Sequence, residues 1–418
     1  MKYNRRYFLK TATKAGLALP LASCSKALKK NNIVIDEQKL IDICNAPVLK
    51  PGFLKQPVLI ESMDLLRLGD TYFVRTRSKD GIEGISVTNN KIDVLYPILL
   101  KLIIPFFIGK DARQIETLLE ELYVYKSNYK MQGLALWCCV SWVEGSIIDL
   151  LGKTAGKHIS SLFGVRIREK IPVYVASGNR DNSPEEEIEI LQKKIAITGA
   201  KAVKFKVGGR MSRDKDSIPG RSEALIELSR KILGNKITIQ ADANGSYSIQ
   251  KAIEIGKRLE DINAYLFEEP CRFDNIEETK HVADALDIPI SGGEQESSEY
   301  RFRKMIAENV LQIVQPDLHY YGGFIRTTRV ARMAEITGKP VTVHISSGNA
   351  GYAEMVNFSS FTPNIGLFQE LKTGMEVTAD MFEPPIQVKN GLLNVPAAPG
   401  LGMAHAEYAL KNAVLITL

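Results

Sequence analysis

The stretch that decides the fold runs Ile237-Thr238-Ile239-Gln240-Ala241-Asp242, then a helical pattern from Ile249 to Leu259, then Ala264-Tyr265-Leu266-Phe267-Glu268. A short apolar run ends on a carboxylate, an amphipathic helix follows, and a second such run ends on another carboxylate. The unit repeats outward. Upstream lie the β-like runs Ile171 to Val175 and Ala202 to Val207; downstream lie Ile288 to Gly292, Val310 to Gln315, Val341 to His344 and Ile365 to Glu370. Helical patterns such as Pro184 to Thr198 and Arg221 to Leu233 separate them. Regular β-then-α alternation predicts parallel strands covered by helices, and eight such strands predict a closed α/β barrel.

The chain has 418 residues, 45% of them hydrophobic and 24% charged, which excludes disorder and a multi-span membrane protein. Its formal charge of +6 is uneven: residues 1–30 hold 8 Lys/Arg and no acid, leaving 46 Lys/Arg against 48 Asp/Glu in residues 31–418. No electrostatic footprint for nucleic acid remains in the body. The leader explains the excess. Asn4-Arg5-Arg6-Tyr7-Phe8-Leu9-Lys10 precedes a small-residue apolar stretch, Thr11 to Leu21, too short to span a bilayer as a mature helix. Residues 1–30 therefore read as an export signal and linker that resemble the twin-arginine type, and Leu21-Ala22-Ser23-Cys24 resembles a lipobox. Lipidation of Cys24 would make the protein a periplasmic or membrane-anchored lipoprotein, touching the membrane only there. Cys44, Cys138, Cys139 and Cys271 are spaced for neither zinc nor a disulfide framework and read as buried thiols. Residues 33–150 read as an α+β domain, 151–385 as the barrel, and 386–418 as a segment returning to pack on the first domain.

Barrel sites are built at the carboxyl ends of strands. Asp242, Glu268 and Glu294 fall there at separations of 26 residues each, one per β/α unit. Converging carboxylates repel unless protonated or bridged by a cation, and an all-oxygen set favours a hard ion, Mg²⁺ first and Mn²⁺ second. Lys204 and Lys206 flank Phe205, so both project to one face of their strand. Two close ammonium groups should lower the pKa of one lysine and make it a base. Asp317 lies 23 residues after Glu294, and His344 another 27 on. A carboxylate bonded to an imidazole orients the ring and raises its basicity. His319 competes with His344, which is preferred because it ends a strand of the repeat. Glu370, ending the last strand, is expected to meet substrate.

With these residues in place the chain resembles the enolase superfamily, in its mandelate racemase-like branch. The motifs in order are Lys204-Phe205-Lys206, Asp242-Ala243-Asn244, Glu268-Glu269-Pro270, Gly293-Glu294, Pro316-Asp317 and His344, framed by Gly81-Ile82-Glu83-Gly84 and Pro399-Gly400-Leu401-Gly402. The resemblance implies a modified TIM barrel of the (β/α)7β type with an α+β capping domain. It implies Mg²⁺ on Asp242, Glu268 and Glu294, since of Glu268-Glu269 the first is usually the ligand. It makes Lys206 a base on one face and the Asp317/His344 pair an acid/base on the other, with Lys204, Asn244 and Glu370 as substrate contacts. The implied chemistry removes the proton α to a carboxylate, giving an enediolate. The expected reaction is dehydration of a sugar acid to a 2-keto-3-deoxy acid, with racemisation, epimerisation or cycloisomerisation as the alternative. An exported binding lipoprotein without catalysis is the rival of another class, and a homo-oligomer is expected.

Two loops carry further expectations. Lys206 to Asp242 is 36 residues, and the surplus falls in Gly208 to Gly220, a candidate lid or a plain surface insertion. Specificity is expected from capping-domain loops around Ala46 to Pro57.

Overall fold

The computed structural model describes residues 36–347, 351–372, 382–403 and 410–418. The leader, Cys24 and the lipobox lie outside the described residues. In the amino-terminal part, helix α1 (Glu37–Asn45) is capped by Asp36 and precedes strands β1 (Ile60–Leu68), β2 (Thr71–Ser78) and β3 (Glu83–Val87), an antiparallel meander. Helices α2 (Ile92–Ile98), α3 (Ile104–Phe107), α4 (Ile115–Val124) and α5 (Leu134–Thr154) follow. Helix α5 is long and apolar enough to cross a bilayer, yet most of it is buried against β2 and β3. Gly84 permits that contact: a Cβ there would stand 2.1 Å from the Ser146 carbonyl oxygen and 2.4 Å from the Leu150 nitrogen. Because α5 runs unbroken past residue 150, the expected domain boundary there falls inside a helix.

After the short helix α6 (Ser160–Phe163) the barrel begins. Its order is β4 (Lys170–Ala176), α7 (Pro184–Thr198), β5 (Ala202–Lys206), α8 (Arg221–Leu233), β6 (Thr238–Asp242), α9 (Ile249–Asp261), β7 (Leu266–Glu268), α10 (Ile276–Ala285), β8 (Ile290–Gly292), α11 (Glu299–Ala307), β9 (Ile313–Val314), α12 (Phe324–Ile336), the extended segment 341–344, α13 (Tyr352–Phe361) and β10 (Gln369–Leu371). Strands β4 to β9 pair in parallel in chain order, bridges Val314–Val341 and Val341–Ile365 carry the sheet onward, and β10 pairs with β4 to close it. This is an α/β barrel of the (β/α)7β kind. Local chemistry starts and stops the helices: in α7, Ser183 and Glu186 form a capping box, Pro184 takes the first turn, and Gly199 ends the helix left-handed. Helix α9 buries Ala252, Ile255, Gly256 and Leu259 at helical spacing, as its pattern required.

The late strands are shorter than their apolar runs. Pro316 and Pro340 carry no N–H, so the ladder between β9 and segment 341–344 reduces to isolated bridges. The carboxyl-terminal segment also departs from expectation by dividing. Strands β11 (Val388–Lys389) and β12 (Leu392–Asn394) form a hairpin that adds to β4 of the barrel, while β13 (Val414–Leu415) pairs with β1 of the amino-terminal sheet.

Candidate active site

Parallel register brings the strand ends together. Lys206 is level with Asp242, and Asp242 with Glu268, so successive strands deliver successive functional groups to one mouth. Glu294 follows β8 by two residues, Glu370 lies in β10, and a parallel bridge pairs Asp317 with His344. Two residues just beyond strand ends, Asn244 and Glu269, are held at φ 42° and 41°, a left-handed conformation that side chains other than glycine rarely adopt. Their amides are spoken for: Asn244 N–H donates to Asp242 Oδ1 at 2.8 Å, and Glu269 N–H to the Ser291 carbonyl at 2.9 Å.

The inner charges pair with one another. Lys204 Nζ donates to both carboxylate oxygens of Glu268 at 2.8 Å, lies 3.7 Å from Glu370 Oε1, and sits 5.0 Å from the Tyr174 ring centroid. Lys206 Nζ bonds Asp242 Oδ2. One lysine of the pair is expected to have a lowered pKa, and Lys204 is shifted the other way. Burial alone would lower it, but Glu268, Tyr174, Glu370 and Asp242 hold it well above the ordinary lysine value. Burial would raise Asp242, yet Lys206 and Lys204 hold it below the usual carboxylate range. Burial, with Asp242 and Glu294 adding to it against Lys204, pushes Glu268 up to about 7. Glu269 is driven well above its ordinary value by burial first and then by Glu294, Asp242 and Glu268.

Among the described residues, no three His, Cys, Asp or Glu side chains stand at ion-holding separation, and Lys204 and Lys206 are hydrogen-bonded to Glu268 and Asp242. The donor set nevertheless fits a hard divalent cation. Four buried carboxylates face two ammonium groups, every candidate ligand atom is oxygen, and Glu269 Oε1 has no hydrogen-bond partner.

The other side of the mouth belongs to His344. Its Nδ1 donates to Asp317 Oδ2 at 2.6 Å, while the remaining oxygen of Asp317 accepts from the amides of His319 and Tyr320 and from Ser346 Oγ. Asp317 stays below its ordinary range because His344 and His319 outweigh burial. His344 Nε2 stands 3.3 Å from Glu294 Oε2 and 3.9 Å from Glu370 Oε2. Those carboxylates and Asp317 raise the imidazole pKa against burial and Lys372. His319 turns away from the mouth, its Nε2 donating to buried Glu354 at 2.5 Å.

Sequence reading missed Lys372, whose Nζ donates to His344 Nε2 at 3.1 Å and lies 3.3 Å from Glu370 Oε2. The i, i+2 alternation that pairs Lys204 with Lys206 would also have placed Lys372 beside Glu370. It missed Arg180 too, a loop residue beyond β4 with no period to betray it. Asn244, expected to meet substrate, has its amide engaged within the protein: Oδ1 accepts from Arg180 Nη2 at 2.6 Å, and Nδ2 faces Asp242 Oδ2 at 3.2 Å.

The loop expectations change. Gly208 to Gly220 is no free flap: Met211 N–H donates to the Asn244 carbonyl, Asp214 N–H to the Ser246 carbonyl, and Ser248 N–H to Asp214 Oδ1. Residues 46–57 do not reach the mouth. Val48 and Leu49 are buried, their amides donate to Glu116 of α4, and Arg332 of α12 holds the Pro47 carbonyl, so this stretch packs on the flank of the barrel. Asn89 of the amino-terminal part does approach: its Nδ2 donates to Ser346 Oγ at 2.8 Å.

A family model described as Enolase C-terminal domain-like matches residues 167–409. The arabinonate dehydratase of Saccharolobus solfataricus is 28% identical over 335 residues, covering 79% of this chain and 85% of that protein. The D-galactarolactone cycloisomerase of Agrobacterium fabrum is 26% identical over 319 residues, covering 73% and 82%. Among solved structures, a mandelate racemase/muconate lactonizing protein from Paracoccus denitrificans PD1222, complexed with magnesium, superposes with a TM-score of 0.79 at 26% identity over 86% of this chain and 99% of that one. With this barrel and this order of strand-end residues, the chain belongs to the enolase superfamily, as a mandelate racemase/muconate lactonizing enzyme-like member.

Proposed function

We propose that the chain is a Mg²⁺-dependent enzyme that removes the proton α to the carboxylate of a sugar acid, and that it dehydrates the acid to a 2-keto-3-deoxy acid. The observation that carries this reading is the hydrogen-bonded His344–Asp317 pair, 2.6 Å long, facing a buried carboxylate cluster that also meets Lys206. Asp242, Glu268 and Glu294 would hold the ion, with Glu269 beside them. Bound Mg²⁺ supplies Lewis-acid stabilisation of the charge that develops on the substrate carboxylate.

Lys206, released from Asp242, takes the α-proton. Lys204, buried and protonated, offsets negative charge on the resulting enediolate. His344, held by Asp317 and protonated at Nε2 once Lys372 has turned from that nitrogen, gives its proton to the departing β-hydroxyl; water leaves, and the enol product tautomerises to the keto acid. Glu370 and Lys372 border the same side and would orient the substrate hydroxyls. The dehydratase relatives support this outcome. The cycloisomerase relative keeps a second reading open, in which His344 returns a proton to carbon and the acid is epimerised or isomerised.

Incubating the purified body with Mg²⁺ and a sugar-acid panel, D-arabinonate and D-galactonate included, separates these readings. Keto-acid release supports dehydration; deuterium from D₂O at the α-carbon without keto acid supports isomerisation. Tight binding with neither signal would mark a binding protein and overturn the proposal. We also propose export through the leader and anchoring through lipidated Cys24, supported by the sequence alone. Cys24→Ala should move the protein from the membrane to the soluble fraction; wild-type protein found unprocessed in the cytoplasm overturns it. A homo-oligomer is proposed on resemblance, and light scattering of the purified body tests it.

A further inference from the structure

Arg180 stands in the loop after β4, with no place in the chemistry above. Its Nε donates to the Gly208 carbonyl at 2.9 Å and its Nη2 to Asn244 Oδ1 at 2.6 Å. A guanidinium carries donors only. The carboxamide of Asn244 must therefore turn its oxygen to Arg180 and its NH₂ the other way, to Asp242 Oδ2 at 3.2 Å and Glu269 Oε2 at 3.4 Å. With the amide reversed, its oxygen would face two carboxylates.

Asp242 is thus held from two sides of one residue, since Asn244 N–H also donates to its Oδ1 at 2.8 Å. The same guanidinium ties the loops after β4, β5 and β6 into one rim, because Gly208 opens the loop after β5 and Met211 and Asp214 bond the turn 244–246. We propose that Arg180 is a positioning residue for the metal-binding carboxylate Asp242, acting through the amide orientation of Asn244. This inference rests on the metal reading above. Partners that orient ligating carboxylates typically change metal affinity about 10- to 100-fold when removed.

The sign of the effect separates positioning from charge. Arg180 is a cation near the site, so if only its charge mattered, removing it would tighten binding of a divalent ion. Positioning demands the reverse. Binding of Mn²⁺ to the purified body, read from the free-ion paramagnetic resonance signal, should weaken about 10-fold or more in Arg180→Met and similarly in Asn244→Ala. The double variant should be no weaker than Asn244→Ala alone, because the go-between is already gone. Circular dichroism and thermal melting check folding. Should Arg180→Met fail to fold, Arg180→Lys, which cannot hold both acceptors in one plane, carries the same test. Wild-type or tighter Mn²⁺ affinity in the folded Arg180 variant, or losses that simply add in the double variant, overturns the inference alone. Wild-type protein without Mn²⁺ affinity overturns the metal reading and this inference with it.

Discussion

His344 meets four charged partners through two ring nitrogens: Asp317 at Nδ1, and Glu294, Glu370 and Lys372 around Nε2. Lys206→Met and His344→Asn should each lower turnover about 10²- to 10⁴-fold while Mn²⁺ still binds; full activity in either variant removes the assigned role. Lys372 opposes the protonation of His344. Lys372→Met should therefore move the His344-controlled limb of the pH–rate profile to higher pH, and a downward shift would contradict the contact. His158 offers a test independent of activity. Burial, then Arg166, lowers its pKa to about 4, and its Nδ1 pairs with Ser160 Oγ at 2.9 Å. Between about pH 6.5 and 4 the unfolded chain binds the proton that the folded one refuses, so stability is lost as pH falls through that window. In urea unfolding, His158→Asn should reduce the loss between pH 7 and 4.5 by about 1–3 kcal/mol; an equal loss in both proteins would place the acid sensitivity elsewhere.

At the scale of elements, legibility followed the hydrogen-bond ladder. Runs Ala202 to Val207 and Ile237 to Ala241 match β5 and β6 to within a residue, because each is buried on both faces and ends where a charged group meets the mouth. The runs Val310 to Gln315 and Val341 to His344 read as strands of equal standing, but proline interrupts their ladders, and composition alone does not register a missing donor. Loop residues were least legible: Arg180 and Asn89 act through tertiary contacts without periodicity, and Lys372 shows only as the i+2 neighbour of Glu370. The positions of Asp242, Glu268, Asp317 and His344 needed only the repeat length; the pairing of lysines with carboxylates needed the coordinates. At Gly84 the amino-terminal sheet lies close against α5, and the two nearest opposing atoms are backbone and cannot rotate away. Gly84→Ala should cost about 3 kcal/mol or more by separating β3 from α5. A thermal midpoint unchanged from wild type would show that the helix has room to move.

At the scale of the molecule, the final segment adds a strand to each of two sheets: β12 to the barrel and β13 to the amino-terminal sheet. Val414 and Leu415 remain 65% and 52% exposed, so β13 adds hydrogen bonds more than buried surface. Ending the chain at Met403 should lower stability by about 1 kcal/mol, which is about 1 °C in melting temperature for a chain of this size, and leave Mn²⁺ affinity intact. Loss of metal binding would mean that the sheet edge supports the barrel mouth. Everything functional depends on whether carboxylates from three successive barrel strands share one ion. Anomalous diffraction from crystals soaked in Mn²⁺ measures that directly. A single peak within about 2.0–2.4 Å of oxygens from Asp242, Glu268 and Glu294, with Lys206 released from Asp242, is the predicted result; a peak elsewhere, or none at saturating Mn²⁺, would contradict it.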